Sequence, residues 1–186
     1  RTVIKIYARQ TDSLRSILVH VNHYLTDNIP RGMFITVLMA VYDAEDRRLK
    51  LVSAGHNPML LYRAAGAKVA RFNPSGMPLG VPSTAQADFE GAIDEIELPL
   101  DPGDTFLLYT DGITEAVNRE GKQYGLDRLE QFFQARWQNG TAPSLRDLSA
   151  AIIDEIDTFS GFASQRDDIT FIIGRAAANE PPRPTE

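Results

Sequence analysis

Apolar positions Leu14, Ile17, Leu18, Val21 and Leu25 recur at helical spacing behind Thr11 and Asp12, either of which is available as an N-cap. The pattern predicts an amphipathic helix that ends near Asn28, before the breakers Pro30 and Gly32. Upstream of it, Val3, Ile4, Ile6 and Tyr7 place apolar sequence at the very start of the chain. Phe34 to Tyr42 is a nearly continuous β-branched and apolar run, as expected of a strand buried on both faces. Asp43-Ala44-Glu45-Asp46 turns into a second strand, Arg48 to Ala54, and Gly55-His56-Asn57-Pro58 into a third, Met59 to Arg63. Ala65-Gly66 turns once more, before Lys68 to Phe72. Short strands joined by such short turns predict an antiparallel meander.

From Asn73 to Phe89 the chain is rich in Gly, Pro and Ser without a clear period, which predicts a long surface loop of the kind that carries function. Ile93 to Leu98 alternates as a strand, Pro102-Gly103 turns, and Phe106 to Tyr109 is an apolar strand ended by Thr110-Asp111-Gly112. Helical patterns follow over Leu126 to Trp137 and Ser144 to Phe159. In the second, Leu145, Leu148, Ile152, Ile156 and Phe159 step by 3, 4, 4 and 3, and Ser144 with Asp147 has the form of a capping box. A last strand, Ile169 to Ile173, follows Arg166-Asp167-Asp168. The proline-rich tail, residues 176–186, is expected to be disordered. Strand runs bracketed by helices, without a regular βαβ alternation, favour an α+β sandwich over a doubly wound sheet.

Composition narrows the function. The chain of 186 residues has a formal net charge of −6, with 43% hydrophobic and 24% charged residues, a globular composition with enough apolar sequence for a core. An acidic chain without a basic stripe is a poor nucleic-acid binder, so no nucleic-acid partner is expected. There is no cysteine, which excludes disulfide frameworks, thiolate metal sites and every mechanism built on a cysteine nucleophile. No run approaches the roughly 20 apolar residues of a spanning helix and no signal pattern opens the chain. A cytoplasmic location without direct membrane contact is expected. The first residue is Arg1 and not Met, which suggests a piece of a longer polypeptide.

Phosphate-loop, dinucleotide, zincin and nucleophile-elbow patterns are absent. His20 and His23, three apart on one helix, read as a partly exposed face, and His56 as a turn residue bonded to backbone. The informative feature is a pair of acidic turns: Asp111, followed by Gly112, after one apolar strand, and Asp167-Asp168 before another. Taken singly each reads as structural, Asp111 as the N-cap of a short helix through Ile113 to Ala116 and the Asp pair as a loop cap. Taken together, carboxylates at the ends of neighbouring strands can share a hard divalent cation through oxygen ligands and water.

Asn22 with Leu25, Met33-Phe34-Ile35-Thr36, Ser53-Ala54-Gly55-His56-Asn57-Pro58, Pro78-Leu79-Gly80, Gly103-Asp104, Leu108 to Ala116, Tyr124-Gly125 and Asp167-Asp168-Ile169-Thr170 occur in that order. Together they resemble the sporulation stage II protein E type of bacterial serine phosphatase, in the metal-dependent protein phosphatase 2C-like superfamily. The resemblance covers the chain to about Arg175 and implies one domain over residues 1–175. It implies an α/β/β/α sandwich of two antiparallel sheets with a two-metal manganese or magnesium site, at which a metal-bound water hydrolyses phosphoserine or phosphothreonine. Asp111 and Asp167 match the family's metal ligands and catalytic carboxylates. Asp168 stands where relatives have Asp or Asn and is expected to orient a ligand or a metal water. Gly112 would let the backbone turn tightly, and Gly55 and His56 would shape the cleft.

The family's upstream acidic motifs, of G-G-D-x-x-D and G-D-V-x-G-H-G type, are not in this chain, and Arg1 to Ala8 matches the helix that follows them. The first strands and remaining ligands are therefore expected upstream of residue 1, and the open sheet edges left behind invite homodimerisation. The implied substrate is a phosphorylated anti-sigma-factor antagonist, and the parent chain is expected to carry a sensor domain. The reading from a different class is a noncatalytic phosphatase-like interaction module.

Overall fold

The computed structural model describes residues 2–30, 32–81, 86–137, 142–161 and 167–177. The chain divides into two compact units, one of residues 1–58 and 73–100 and the other of residues 59–72 and 101–186.

The first unit is a three-stranded antiparallel sheet of order β1-β2-β5, with β1 (Val37–Asp43), β2 (Arg48–Ala54) and β5 (Glu95–Pro99). Its helices are α1 (Thr2–Tyr7), α2 (Leu14–Asn28) and α3 (Gln86–Ala92). The helical period of α2 buries Leu14, Ile17, Leu18 and Val21 in one cluster with Val52 and Ala54 of β2, Leu79, Phe89 and Ile93. Burying a side chain of that size contributes about 2 kcal/mol, so this single stripe commits the helix to its sheet. The α2 N-cap is Ser13, whose hydroxyl accepts from the Ser16 N–H at 3.2 Å, and neither Thr11 nor Asp12 takes that place. A β5 residue completes the cap: Glu95 accepts from the Ser13 hydroxyl and the Arg15 N–H, both at 2.9 Å. The exposed histidines of α2 are part of its solvent face, with His20 stacked on Tyr7 of α1 at 4.4 Å.

Three expectations for this unit are corrected. Phe34 to Tyr42 is not a strand buried on both faces. Met33, Phe34 and Ile35 precede β1 and are 55%, 60% and 41% exposed, and among the described residues β1 stands at the edge of its sheet, beside β2. An edge strand carries the same apolar residues as a central one, so composition does not separate the two. The long loop from Asn73 to Phe89 is also divided: Leu79 is buried and exchanges backbone hydrogen bonds with Ile35, and α3 begins at Gln86 with Phe89 in the core. The expected meander is the third. β2 and β3 are adjacent in sequence but belong to different sheets, because the Gly55–Pro58 connection leads out of one and into the other.

The second unit is a four-stranded antiparallel sheet of order β4-β3-β6-β7: β3 (Met59–Arg63), β4 (Lys68–Phe72), β6 (Thr105–Tyr109) and β7 (Phe171–Arg175). Its helices are α4 (Asp111–Thr114), α5 (Leu126–Ala135) and α6 (Leu145–Ser160). Leu129 and Phe133 of α5 and Leu148, Ile152 and Ile156 of α6 are buried in one cluster with Leu60, Tyr62, Leu107 and Tyr109 of the sheet. Aromatic contacts close that cluster, with Tyr62 stacked on Trp137 at 4.0 Å and Phe133 edge-on to Trp137 at 5.0 Å. The Ser144 cap forms as expected, its hydroxyl accepting from the Asp147 N–H at 3.0 Å.

Ala176 is not tail. It is buried and exchanges backbone hydrogen bonds with Gly103 and Asp104, while the expected disorder over residues 178–186 falls outside the described residues. Asp104 is fully buried and accepts from Arg63 at 2.8 Å, the Ala64 N–H at 2.8 Å and the Asp101 N–H at 3.1 Å, which ties β6 to the end of β3.

Candidate functional site

The two acidic turns meet because their strands are neighbours. β6 and β7 pair antiparallel with Tyr109 opposite Phe171, so the end of β6 and the start of β7 lie at the same end of the sheet. Asp111 stands two residues after β6, and Asp167-Asp168 stand just before β7. All three carboxylates are exposed.

Beyond the last strand pair the two segments are held by further hydrogen bonds. The Thr110 N–H donates to the Thr170 carbonyl at 2.9 Å. The Thr110 hydroxyl accepts from the Thr170 N–H at 3.0 Å and donates to the Asp168 carbonyl at 3.1 Å. The Asp168 N–H in turn donates to Oδ1 of Asp167 at 2.8 Å, folding that carboxylate back on its own turn.

Helix α4 begins at this junction. Thr110 is its N-cap residue and Asp111 lies in its first turn, correcting the reading of Asp111 as the cap. A first-turn carboxylate is favoured by the partial positive charge of the helix start. Gly112 is required here by contact: a Cβ on it would stand 2.4 Å from the Asp168 carbonyl oxygen and 3.4 Å from that of Asp167. Its need for glycine comes from the close passage of a second backbone rather than from a left-handed turn. Just inside the sheet, burial pushes the Tyr109 hydroxyl above the ordinary tyrosine range.

Gly55 and His56 belong to the other unit. Gly55 has φ +68 and a Cβ there would meet the Pro78 ring at 2.8 Å, so the Pro78-Leu79-Gly80 motif is seated against this turn. The His56 ring is bonded through Nδ1 to the Thr36 hydroxyl at 3.0 Å, and the His56 N–H donates to the Ser53 hydroxyl at 3.3 Å. They line a cavity of about 430 Å³ with Asn73 to Gly76. Asn22, quoted only as a motif residue, is buried on α2 and accepts the Gly80 N–H at 2.8 Å. Two residues are missed by reading the sequence for chemistry: Thr110, which links the acidic turns, and Asp104, whose carboxylate serves the interior. A threonine directly before an acidic helix start was the available signal for the first.

The donor set suits a hard cation by kind, since carboxylate oxygens are what manganese and magnesium take. Among the described residues no group of three or more His, Asp and Glu side chains is arranged to hold a metal.

Two antiparallel sheets with their helices make an α+β fold of the protein phosphatase 2C type. It matches the solved phosphatase 2C-type domain of SiaA from Pseudomonas aeruginosa with a TM-score of 0.75 at 21% identity, over 94% of this chain and 66% of that one. The chain belongs to the Stage II sporulation protein E (SpoIIE) family, whose model matches residues 1–176. Among curated relatives it is similar to the phosphoserine phosphatase RsbU of Bacillus subtilis, 25% identical over 159 residues, and to protein IcfG of Synechocystis, 28% identical over 152 residues. These matches cover 86% and 81% of this chain, which spans 44% of RsbU and 22% of IcfG. Among the described residues no helix is long and apolar enough to cross a membrane.

Proposed function

We propose that residues 1–175 are part of the catalytic domain of a metal-dependent protein serine/threonine phosphatase, acting on phosphoserine or phosphothreonine in a phosphorylated anti-sigma-factor antagonist. The observation that carries this reading is the pairing of β6 with β7, which brings Asp111 to the same end of the sheet as Asp167 and Asp168. Asp111 and Asp167 would hold manganese or magnesium through carboxylate oxygens, with Asp168 orienting a ligand by hydrogen bonds. The bound ions would supply Lewis acidity toward the phosphoryl oxygens and a water of lowered pKa. The chain itself offers no cysteine for covalent catalysis, and its exposed carboxylates leave room for a protein-borne phosphoester to approach. The remaining carboxylates of a two-metal site would come from outside these residues. The relationship to the phosphoserine phosphatase RsbU supports a phosphoserine substrate; a cytoplasmic place in sigma-factor regulation, alongside a sensor domain elsewhere in the protein, is part of the same proposal.

The test is manganese-dependent release of phosphate from a phosphoserine protein, by this chain and by its parent, with Asp111→Asn beside each. Release that the substitution abolishes supports the reading. Release of equal rate in Asp111→Asn removes Asp111 from the centre, and no release by either protein at any manganese concentration favours the noncatalytic interaction module.

A further inference from the structure

Thr110 occupies the N-cap position of α4, where a threonine oxygen ordinarily accepts an N–H of the first helical turn. Here its side chain makes no capping hydrogen bond. The hydroxyl is turned instead to the segment entering β7, accepting from the Thr170 N–H at 3.0 Å and donating to the Asp168 carbonyl at 3.1 Å, with the Thr170 carbonyl at 3.3 Å. One hydroxyl can donate once and accept twice, so this group uses its proton and a lone pair on residues two apart in the opposite strand segment. A helix-capping bond is forgone for a bond between two turns.

The consequence runs to the carboxylates. The Asp168 residue is held on both sides: its carbonyl by the Thr110 hydroxyl and its N–H by Oδ1 of Asp167 at 2.8 Å. Asp111 is the residue after Thr110, and its neighbour Gly112 passes so close to the Asp168 carbonyl that no side chain fits between. Displacing the Asp168 peptide would therefore move the Asp167 carboxylate relative to Asp111. We propose that Thr110 is a positioning residue whose hydroxyl latches the Asp111 turn to the Asp167–Asp168 turn and sets the separation of the two acidic groups. Its value for metal binding rests on the function proposed above; the latch itself does not.

The experiment compares Thr110→Val, Thr110→Ala and Thr110→Ser in the full chain by amide hydrogen exchange and by manganese titration, with paramagnetic broadening read at Asp111, Asp167 and Asp168. The expected result is Thr170 amide exchange at least about fivefold faster in the Val and Ala variants, unchanged at Leu107 in the sheet, and restored by Ser. Manganese should broaden the three aspartates at roughly tenfold higher concentration in Val and Ala than in the wild type or Ser. Thr170 exchange equal in all four proteins would overturn the latch, as would uniform acceleration that includes Leu107, which is the mark of a merely structural role. If manganese broadens none of the aspartates in any of the four, Asp111 and Asp167 do not hold the metal without the carboxylates proposed to come from outside these residues, and the exchange data alone decide the latch.

Discussion

Gly112 and Asp168 are in backbone contact across the two acidic turns, a Cβ on Gly112 falling 2.4 Å from the Asp168 carbonyl oxygen. The neighbour is backbone and that carbonyl is already engaged by Thr110, so it cannot swing away as a side chain would. Gly112→Ala should destabilise the chain by about 1–3 kcal/mol through overpacking, measured by urea unfolding. Stability equal to wild type would show that the turns part at little cost.

Asp104 is a buried carboxylate with three donors around it. Asp104→Ala removes the acceptor of the Ala64 and Asp101 N–H groups and an ion-pair partner of Arg63. The expected loss is roughly 3 kcal/mol in chemical denaturation. Arg63→Ala should cost less, because its side chain is 29% exposed and water takes over part of its role.

Asn22→Ala removes the acceptor of the Gly80 N–H from a buried position. A cost of about 1–3 kcal/mol is expected, with faster amide exchange at Gly80 as the local signature. Asn22→Asp, which keeps an acceptor oxygen in place, should restore protection at Gly80.

Ser144→Ala should lower stability by about 1 kcal/mol, since the hydroxyl accepts from the Asp147 N–H at 3.0 Å and donates to Oδ2 of Asp147 at 2.7 Å. Faster exchange confined to the first turn of α6 would accompany it. Loss of protection throughout the helix would contradict a purely terminal effect.

Burial pushes the hydroxyls of Tyr109 and Tyr124 above the ordinary value of 10.0, and at Tyr124 the neighbouring Glu155 adds to this against the opposing charge of Arg128. Below that value both folded and unfolded states hold these protons, and the full stability is present. Above it the unfolded chain releases them while the native state retains them, so stability falls as pH rises from about 10 toward the raised native values. Urea unfolding at about pH 9 and about pH 11 should show the fall, shallower in Tyr124→Phe, which has no proton to lose.

Much of the chain was legible because its local signals are strong. β3 and β4 fall on the expected residues, Met59–Arg63 and Lys68–Phe72, since a two-residue turn at Ala65-Gly66 separates short apolar runs. The helical stripes of α2, α5 and α6 were legible for the same reason: a 3.6-residue period can be satisfied only by a helix with one face buried. The sheet to which each strand belongs was not. β1 and β2, of seven residues each, are short apolar-patterned strands like β3 and β4, of five each, and nothing in the four residues from Gly55 to Pro58 marks the change of sheet.

The sequence alone determined most of the element types and where the acidic turns fall along the chain, because these depend on residue identity and local spacing. Only the tertiary structure decided that β6 lies beside β7, 62 residues away at the Tyr109–Phe171 pair, and so that Asp111 meets the Asp167–Asp168 turn. Strand pairing is a choice among partners made by burial over the whole unit, and local pattern does not record it. The use of the Thr110 hydroxyl follows the same logic. A threonine before a helix can cap it or bond elsewhere, and which it does depends on what the fold brings within hydrogen-bond reach.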